Sequence, residues 1–186
     1  MLFFYNLGIY CYFLIVKIAS FFHPKARLWI DGRSDFFSKL KTQLTDNQNI
    51  IWFHCASLGE FEQGRPLIEA IKKEQPQYKI LLTFFSPSGY EIRKNYAFAD
   101  YVCYLPLDTA RNAQQFLDIV QPKMAFFIKY EFWYHFLKNL HQRQIPTYLV
   151  AAIFRPNQIF FKWYGGFFRK MLDFFTIIFL QEKIDF

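Results

Sequence analysis

Two glutamates carry the chemistry that this sequence can offer. Glu60 closes the run Ile50-Ile51-Trp52-Phe53-His54-Cys55-Ala56-Ser57-Leu58-Gly59, where an apolar stretch gives way to a small, turn-prone segment. Glu131 closes a second apolar run, Met124 to Tyr130, and is followed by Phe132-Trp133-Tyr134. A carboxylate at the end of a sheet strand is a candidate general base. A second one at the same edge can orient a hydroxyl or stabilise a cationic transition state. Ser57 is a candidate donor to substrate, and Gly59 permits a close turn with helix-start N–H groups free for an anion. Ser86 and Ser88, in Ser86-Pro87-Ser88-Gly89, can present hydroxyls and amides to a phosphate, and Arg155 is a basic candidate at that edge.

Each of these residues also has a plainer reading. An acidic residue in a first helical turn favours the macrodipole without doing chemistry. Glu131 can pair with Lys129 or cap a helix, and His54 reads as a packed strand residue. The serines can be turn or helix-start residues. A nucleophile elbow and a dinucleotide fingerprint are both missing from the sequence. The histidines have no metal-ligand spacing. Cys11, Cys55 and Cys103 lie too far apart to suggest a zinc cage or a disulfide framework, so each reads as a small buried hydrophobe in a reducing compartment.

The elements that must position the glutamates alternate in type. Strands are expected at Ile50 to Ala56, Lys79 to Phe85, Tyr101 to Leu105, Met124 to Lys129, Thr147 to Ile153 and Phe175 to Leu180. Helices are expected at Glu60 to Glu74, Pro87 to Tyr96, from a cap at Asp108 or Thr109 to Val120, at Phe132 to Arg143, and at Ile159 to Leu172. Continuous apolar strands alternating with helices imply a parallel sheet covered on both faces, a doubly wound Rossmann-like α/β domain over residues 49–186. Such sheets bind ligands at the carboxyl ends of their strands.

Ahead of that domain, Leu2 to Phe22 is almost wholly apolar, broken by Asn6 and Lys17. As a helix it is about 31 Å long, close to the hydrocarbon thickness of a bilayer. Residues 1–22 are therefore expected to form a membrane anchor, either spanning or lying in the interface, with 23–48 as a connection that is polar from Asp35 to Asn49. The basic residues Lys25, Arg27, Arg33, Lys39 and Lys41 follow the apolar run and place the globular part on the cytoplasmic side. The chain carries 22 Lys and Arg against 15 Asp and Glu, and the resulting +7 favours anionic partners. Its 26 Phe fit a chain working against a membrane as well as around a core, or a phenylalanine-rich genome background. The stop at Gln181 to Phe186, just after the last expected strand, reads as a fragment or one domain of a larger protein.

In this order, the apolar amino-terminal segment, Trp52 to Glu60, Thr83-Phe84-Phe85-Ser86-Pro87-Ser88-Gly89, Leu105-Pro106-Leu107-Asp108 and Glu131-Phe132-Trp133 resemble the amino-terminal half of 3-deoxy-D-manno-octulosonic acid (Kdo) transferases. The resemblance implies a GT-B enzyme whose amino-terminal domain takes the lipid acceptor and whose carboxyl-terminal nucleotide-sugar domain, absent here, takes CMP-Kdo. It implies inverting transfer of Kdo to the lipid A precursor, lipid IVA, in lipopolysaccharide biosynthesis, with no metal or cofactor. Glu60 falls on the family's catalytic base and Glu131 on its second essential carboxylate, read as a transition-state stabiliser. The implied setting is the cytoplasmic face of the inner membrane, among anionic lipids, with no nucleic acid partner. The chain departs from the common family pattern at Lys129, at Tyr134 and at Ala151-Ala152-Ile153-Phe154-Arg155. Alternative readings are another GT-B glycosyltransferase of lipid-linked sugars, or a non-catalytic membrane-tethered Rossmann-like module that binds anionic lipid.

Overall fold

The computed structural model describes residues 1–44 and 49–181. Three helices come first: α1 (Leu2–Ala19), α2 (Pro24–Asp31) and α3 (Phe36–Gln43). Then follow β1 (Ile50–Cys55), α4 (Leu58–Glu74), β2 (Lys79–Phe84), α5 (Pro87–Arg93), β3 (Tyr101–Tyr104) and α6 (Ala110–Val120). The remainder is β4 (Met124–Ile128), α7 (Tyr134–Gln142), β5 (Thr147–Ala152), a 3-10 turn (Ile159–Phe161), α8 (Gly166–Leu172) and β6 (Ile177–Leu180).

The strands form one six-stranded sheet in the order β3-β2-β1-β4-β5-β6. Every pairing is parallel. This is the doubly wound α/β arrangement, and the chain changes winding direction between β1 and β4. The crevice at the carboxyl ends of those two strands is where such sheets hold ligands.

Alternation along β1 divides the core into two layers. Ile50 and Trp52 face a cluster shared with α3, α6, α7 and α8, whereas Ile51, Phe53 and Cys55 face one shared with α4. Much of the phenylalanine surplus is spent in these layers. Trp52 lies 4.9 Å from Phe116, 5.1 Å from Phe127 and 5.7 Å from Phe136, ring centre to ring centre. On the opposite face Phe53 stacks on Phe126 at 4.8 Å. Each such ring contributes about 1.5–3 kcal/mol by burial, with about 0.5–1.5 kcal/mol more from a well-placed aromatic pair.

Two stretches differ from the sequence reading. The polar connection from Asp35 contains α3, because Phe36 and Leu40, one turn apart, are buried while Ser38, Lys39 and Lys41 point outward. Residues 45–48 of that connection lie outside the described residues. The helix expected over Ile159 to Leu172 is split into the 3-10 turn and α8. A side chain at Gly165 would meet the Ile159 carbonyl oxygen at 1.9 Å, so the chain folds tightly back there. Cys11 is exposed on α1 rather than buried.

Candidate active site

The site grows from a polar file inside the sheet. His54 on β1 has Thr83 on β2 and Phe127 on β4 as its register partners. His54 and Thr83 are both fully buried, so their polar atoms must find partners within the protein. Thr83 Oγ1 accepts from the Trp52 indole N–H at 2.8 Å, donates to the Phe53 carbonyl at 3.2 Å, and lies 2.9 Å from His54 Nδ1. The other imidazole nitrogen, Nε2, lies 2.9 Å from Glu131 Oε2.

Glu131 reaches this position through a sharp turn after β4, where Lys129 takes a left-handed conformation with φ of 71°. A bulky residue pays for that conformation in strain, and here the strain sits beside the Glu131 carboxylate. Oε2 of Glu131 also accepts the Trp133 indole N–H at 2.6 Å. Both contacts fall on one oxygen, leaving Oε1 without a partner among the described residues. The anticipated pairing with Lys129 does not occur; that ammonium instead lies over the Tyr130 ring.

Glu60 sits in the first turn of α4, which begins at Leu58 with Ser57 as its N-cap. Its Oε2 accepts the Ser57 backbone N–H at 2.7 Å and the Ser57 hydroxyl at 3.0 Å. The carboxylate is half-buried. Burial and then the charge of Glu131 push its pKa up, opposed by the two Ser57 hydrogen bonds and by His54. The two carboxylates therefore feel one another across the β1/β4 crevice. As in Glu131, Oε1 is left free of protein partners among the described residues. The geometry allows one oxygen to be fixed while the other meets a substrate hydroxyl.

The remaining sequence candidates divide. The Ser86 N–H donates to the Ala56 carbonyl at 2.8 Å, which ties the β2 loop to the β1 loop. Its hydroxyl caps α5, accepting the Ser88 N–H at 3.3 Å and lying 3.0 Å from the Ser88 hydroxyl. Neither serine touches the carboxylates. Gly89 serves packing, since a Cβ there would fall 2.3 Å from the buried Phe84 ring. Gly59 does not form the turn: it lies within α4, has no positive φ, and has open space around it. Arg155, past β5, is exposed, and its backbone N–H bonds to Gln158. No contact joins it to either glutamate.

Other residues at this edge are polar contacts that sequence reasoning missed. Asp108 is not the cap of α6; that cap is Thr109. The Asp108 carboxylate is buried and accepts the His135 and Phe136 N–H groups at 3.0 Å, capping α7, together with the Tyr5 hydroxyl at 2.5 Å. Burial raises its pKa to about 6 despite these bonds. Arg33 is not a surface cation. It donates to the carbonyls of Leu105, Trp29 and Phe85 and lies over the Trp29 ring at 3.7 Å. Phe85 in turn packs on Trp133 at 4.6 Å. Beside this file a cavity of about 590 Å³ is lined by Tyr10, Phe13, Trp29, Arg33, Phe36 and Arg111, among others. The signal available in sequence was a polar residue inside an apolar run: His54, Thr83 and Asn6 all interrupt one.

The sequence model of the 3-deoxy-D-manno-octulosonic-acid transferase (kdotransferase) family matches residues 30–186, all of the sheet and both glutamates. The chain belongs to the Kdo transferase family. It is 31% identical over 146 residues to the 3-deoxy-D-manno-octulosonic acid transferase of Haemophilus influenzae, a match covering 77% of this chain and 33% of that protein. The Aquifex aeolicus enzyme of that name is 35% identical over 94 residues, covering 50% and 26%. The Chlamydia muridarum enzyme is 27% identical over 169 residues, covering 88% and 38%. The chain thus spans about a third of the length of these relatives.

Proposed function

We propose that this chain is the acceptor-binding, base-carrying half of a Kdo transferase that moves Kdo from CMP-Kdo to the lipid A precursor, lipid IVA. The observation that carries the reading is the convergence of Glu60 and Glu131 on the β1/β4 switch point, each with one oxygen fixed and one free. In the reaction, Glu60 takes the proton of an acceptor hydroxyl as that oxygen attacks the anomeric carbon of Kdo. The bond from that carbon to the phosphate oxygen departs with CMP, and the configuration inverts. A raised pKa makes Glu60 a stronger base. Glu131, oriented by His54 and Trp133, supplies negative charge to the electron-poor transition state. The donor would be held by a second domain, and no metal or cofactor takes part.

The acceptor is an anionic amphiphile, which suits the +7 chain and the aromatic cavity lined by Trp29, Arg33 and Arg111. The proposed setting is the cytoplasmic face of the inner membrane, among anionic lipids. Ser57, Ser86, Ser88 and the N–H groups near Gly59 are proposed contacts for the acceptor, with Arg155 at the rim.

A second reading has its own observation. The hydrogen bonds from Ser57 give Glu60 a helix-capping role, which suffices for a non-catalytic lipid-binding module. Glu60→Gln in the chain joined to its nucleotide-sugar domain separates the two. The glutamine oxygen can still accept from Ser57, so the fold and lipid binding are retained. Loss of Kdo transfer supports the base; unchanged transfer overturns it.

A further inference from the structure

The helix α1 is apolar enough to cross a bilayer by length and composition, yet it is fastened to the globular domain near its first turn. The Tyr5 hydroxyl donates to buried Asp108 at 2.5 Å, and Asn6 Oδ1 lies 2.7 Å from His135 Nε2. The Tyr5 ring also packs on Tyr134 and Phe167. Two turns on, Tyr12 packs on Trp29 and Phe85, each at 5.8 Å, and Phe13 on Trp29. Tyr5, Ile9, Tyr12 and Val16 follow helical spacing, so one stripe of α1 runs along the carboxyl edge of the sheet.

A transbilayer α1 is incompatible with these contacts. It would carry Tyr5 and Asn6 roughly 20 Å from the end of the helix nearest the domain. Asp108 and His135 would lose their partners or be drawn into hydrocarbon, where unpaired polar groups are costly. The opposite side of α1 carries no such ties. Phe3, Phe4, Leu7, Leu14, Ile15 and Ile18 are between 48% and 71% exposed, and Phe21 and Phe22 prolong that surface. Lys17, Lys25 and Arg27 lie exposed beside its far end. An apolar stripe of this size next to cations fits the headgroup–acyl boundary of an anionic leaflet. The polar side that an interfacial helix ordinarily turns to water is here supplied by the protein itself.

We propose that α1 lies flat in the membrane interface, clamped between the leaflet and the sheet's carboxyl edge, and does not span the bilayer. The partner is an anionic phospholipid surface, and the proposal holds whatever reaction the site performs.

Two measurements on the full chain in bacterial membranes test it, in vesicles whose exposed side is defined by protease attack on the globular domain. With a cleavable hydrophilic tag ahead of Met1, protease added on the domain's side is expected to remove the tag equally fast with and without detergent. With Asn6→Cys and His135→Cys introduced together, a short thiol-specific bifunctional reagent is expected to link the two cysteines in the membrane-bound protein, since the native side chains meet at their tips. A tag protected until detergent is added overturns the proposal. So does a cysteine pair that fails to cross-link in the membrane, or a chain recovered in the soluble fraction.

Discussion

The hydrogen bond between His54 and Glu131 can be measured by a double-mutant cycle. His54→Leu and Glu131→Leu are made singly and together, each removing one polar partner with a side chain that suits the buried sheet edge. The atoms lie 2.9 Å apart, and the two side chains are 0% and 8% exposed, so the bond is little screened by solvent. A buried hydrogen bond to a charged group is worth about 1.5–3 kcal/mol. The Trp133 indole N–H, 3.1 Å from His54 Nε2, can turn to the imidazole when the carboxylate is removed, returning about 1 kcal/mol. The expected coupling is therefore about 1 kcal/mol, with the two single losses exceeding the double loss by that amount. Each single variant leaves one buried group short of a partner and should lower Tm by several degrees, at roughly 2–4 °C per kcal/mol for a chain of this size. Urea unfolding in mild detergent, followed by far-ultraviolet circular dichroism, gives the four free energies with one common slope. A coupling below about 0.5 kcal/mol would refute the claim that His54 holds Glu131 in place.

Three further outcomes follow from the same geometry. Glu131→Gln removes the like charge that helps raise Glu60, so the acid limb of the pH profile for Kdo transfer by the two-domain enzyme should move to lower pH; an unmoved limb would detach Glu131 from the base. Asp108, raised to about 6 by burial, contributes stability that is complete below its unfolded pKa near 4 and is lost as pH rises through about 6. That loss is of order 3 kcal/mol between pH 4 and 7, and Asp108→Asn should flatten the slope of urea midpoint against pH; an unchanged slope would assign it elsewhere. Gly89→Ala drives a Cβ into the Phe84 ring at 2.3 Å and should cost about 1–3 kcal/mol by thermal unfolding, with no loss marking the ring as free to move aside.

The strands were legible because parallel strands are apolar on both faces and end at turn-forming residues. Lys79 to Phe84 and Met124 to Ile128 therefore fall within a residue of the sequence reading. Glu60 and Glu131 were legible as strand-end carboxylates for the same reason. That both fall at one sheet edge was legible as well; that β4 enters the sheet directly beside β1 was not, since strand order is a fact that no local pattern encodes. The file of Trp52, Thr83, His54 and Glu131 needs register as well, because His54 and Thr83 are distant in sequence and meet only across the ladder. Of the two caps read for α6, Asp108 or Thr109, Thr109 fills the position, and the Asp108 carboxylate serves α7 and α1, a role that depends on tertiary packing. Arg33 was legible only as one of the cations that follow the apolar segment; that three carbonyls and a tryptophan face satisfy it inside the fold needs the packed structure.

The clamp between Tyr5 and Asp108 has a consequence for how a membrane-bound substrate is found. A catalytic domain on a flexible tether must search in tilt and height after reaching the surface, and each encounter carries an orientational penalty. With α1 bonded directly to the sheet edge, the interfacial placement proposed for it would set membrane contact and site orientation by one rigid body. The search then reduces to sliding in two dimensions, with the β1/β4 crevice held at a constant height above the leaflet. On that placement, cutting the Tyr5 and Asn6 ties would return those lost degrees of freedom to every encounter.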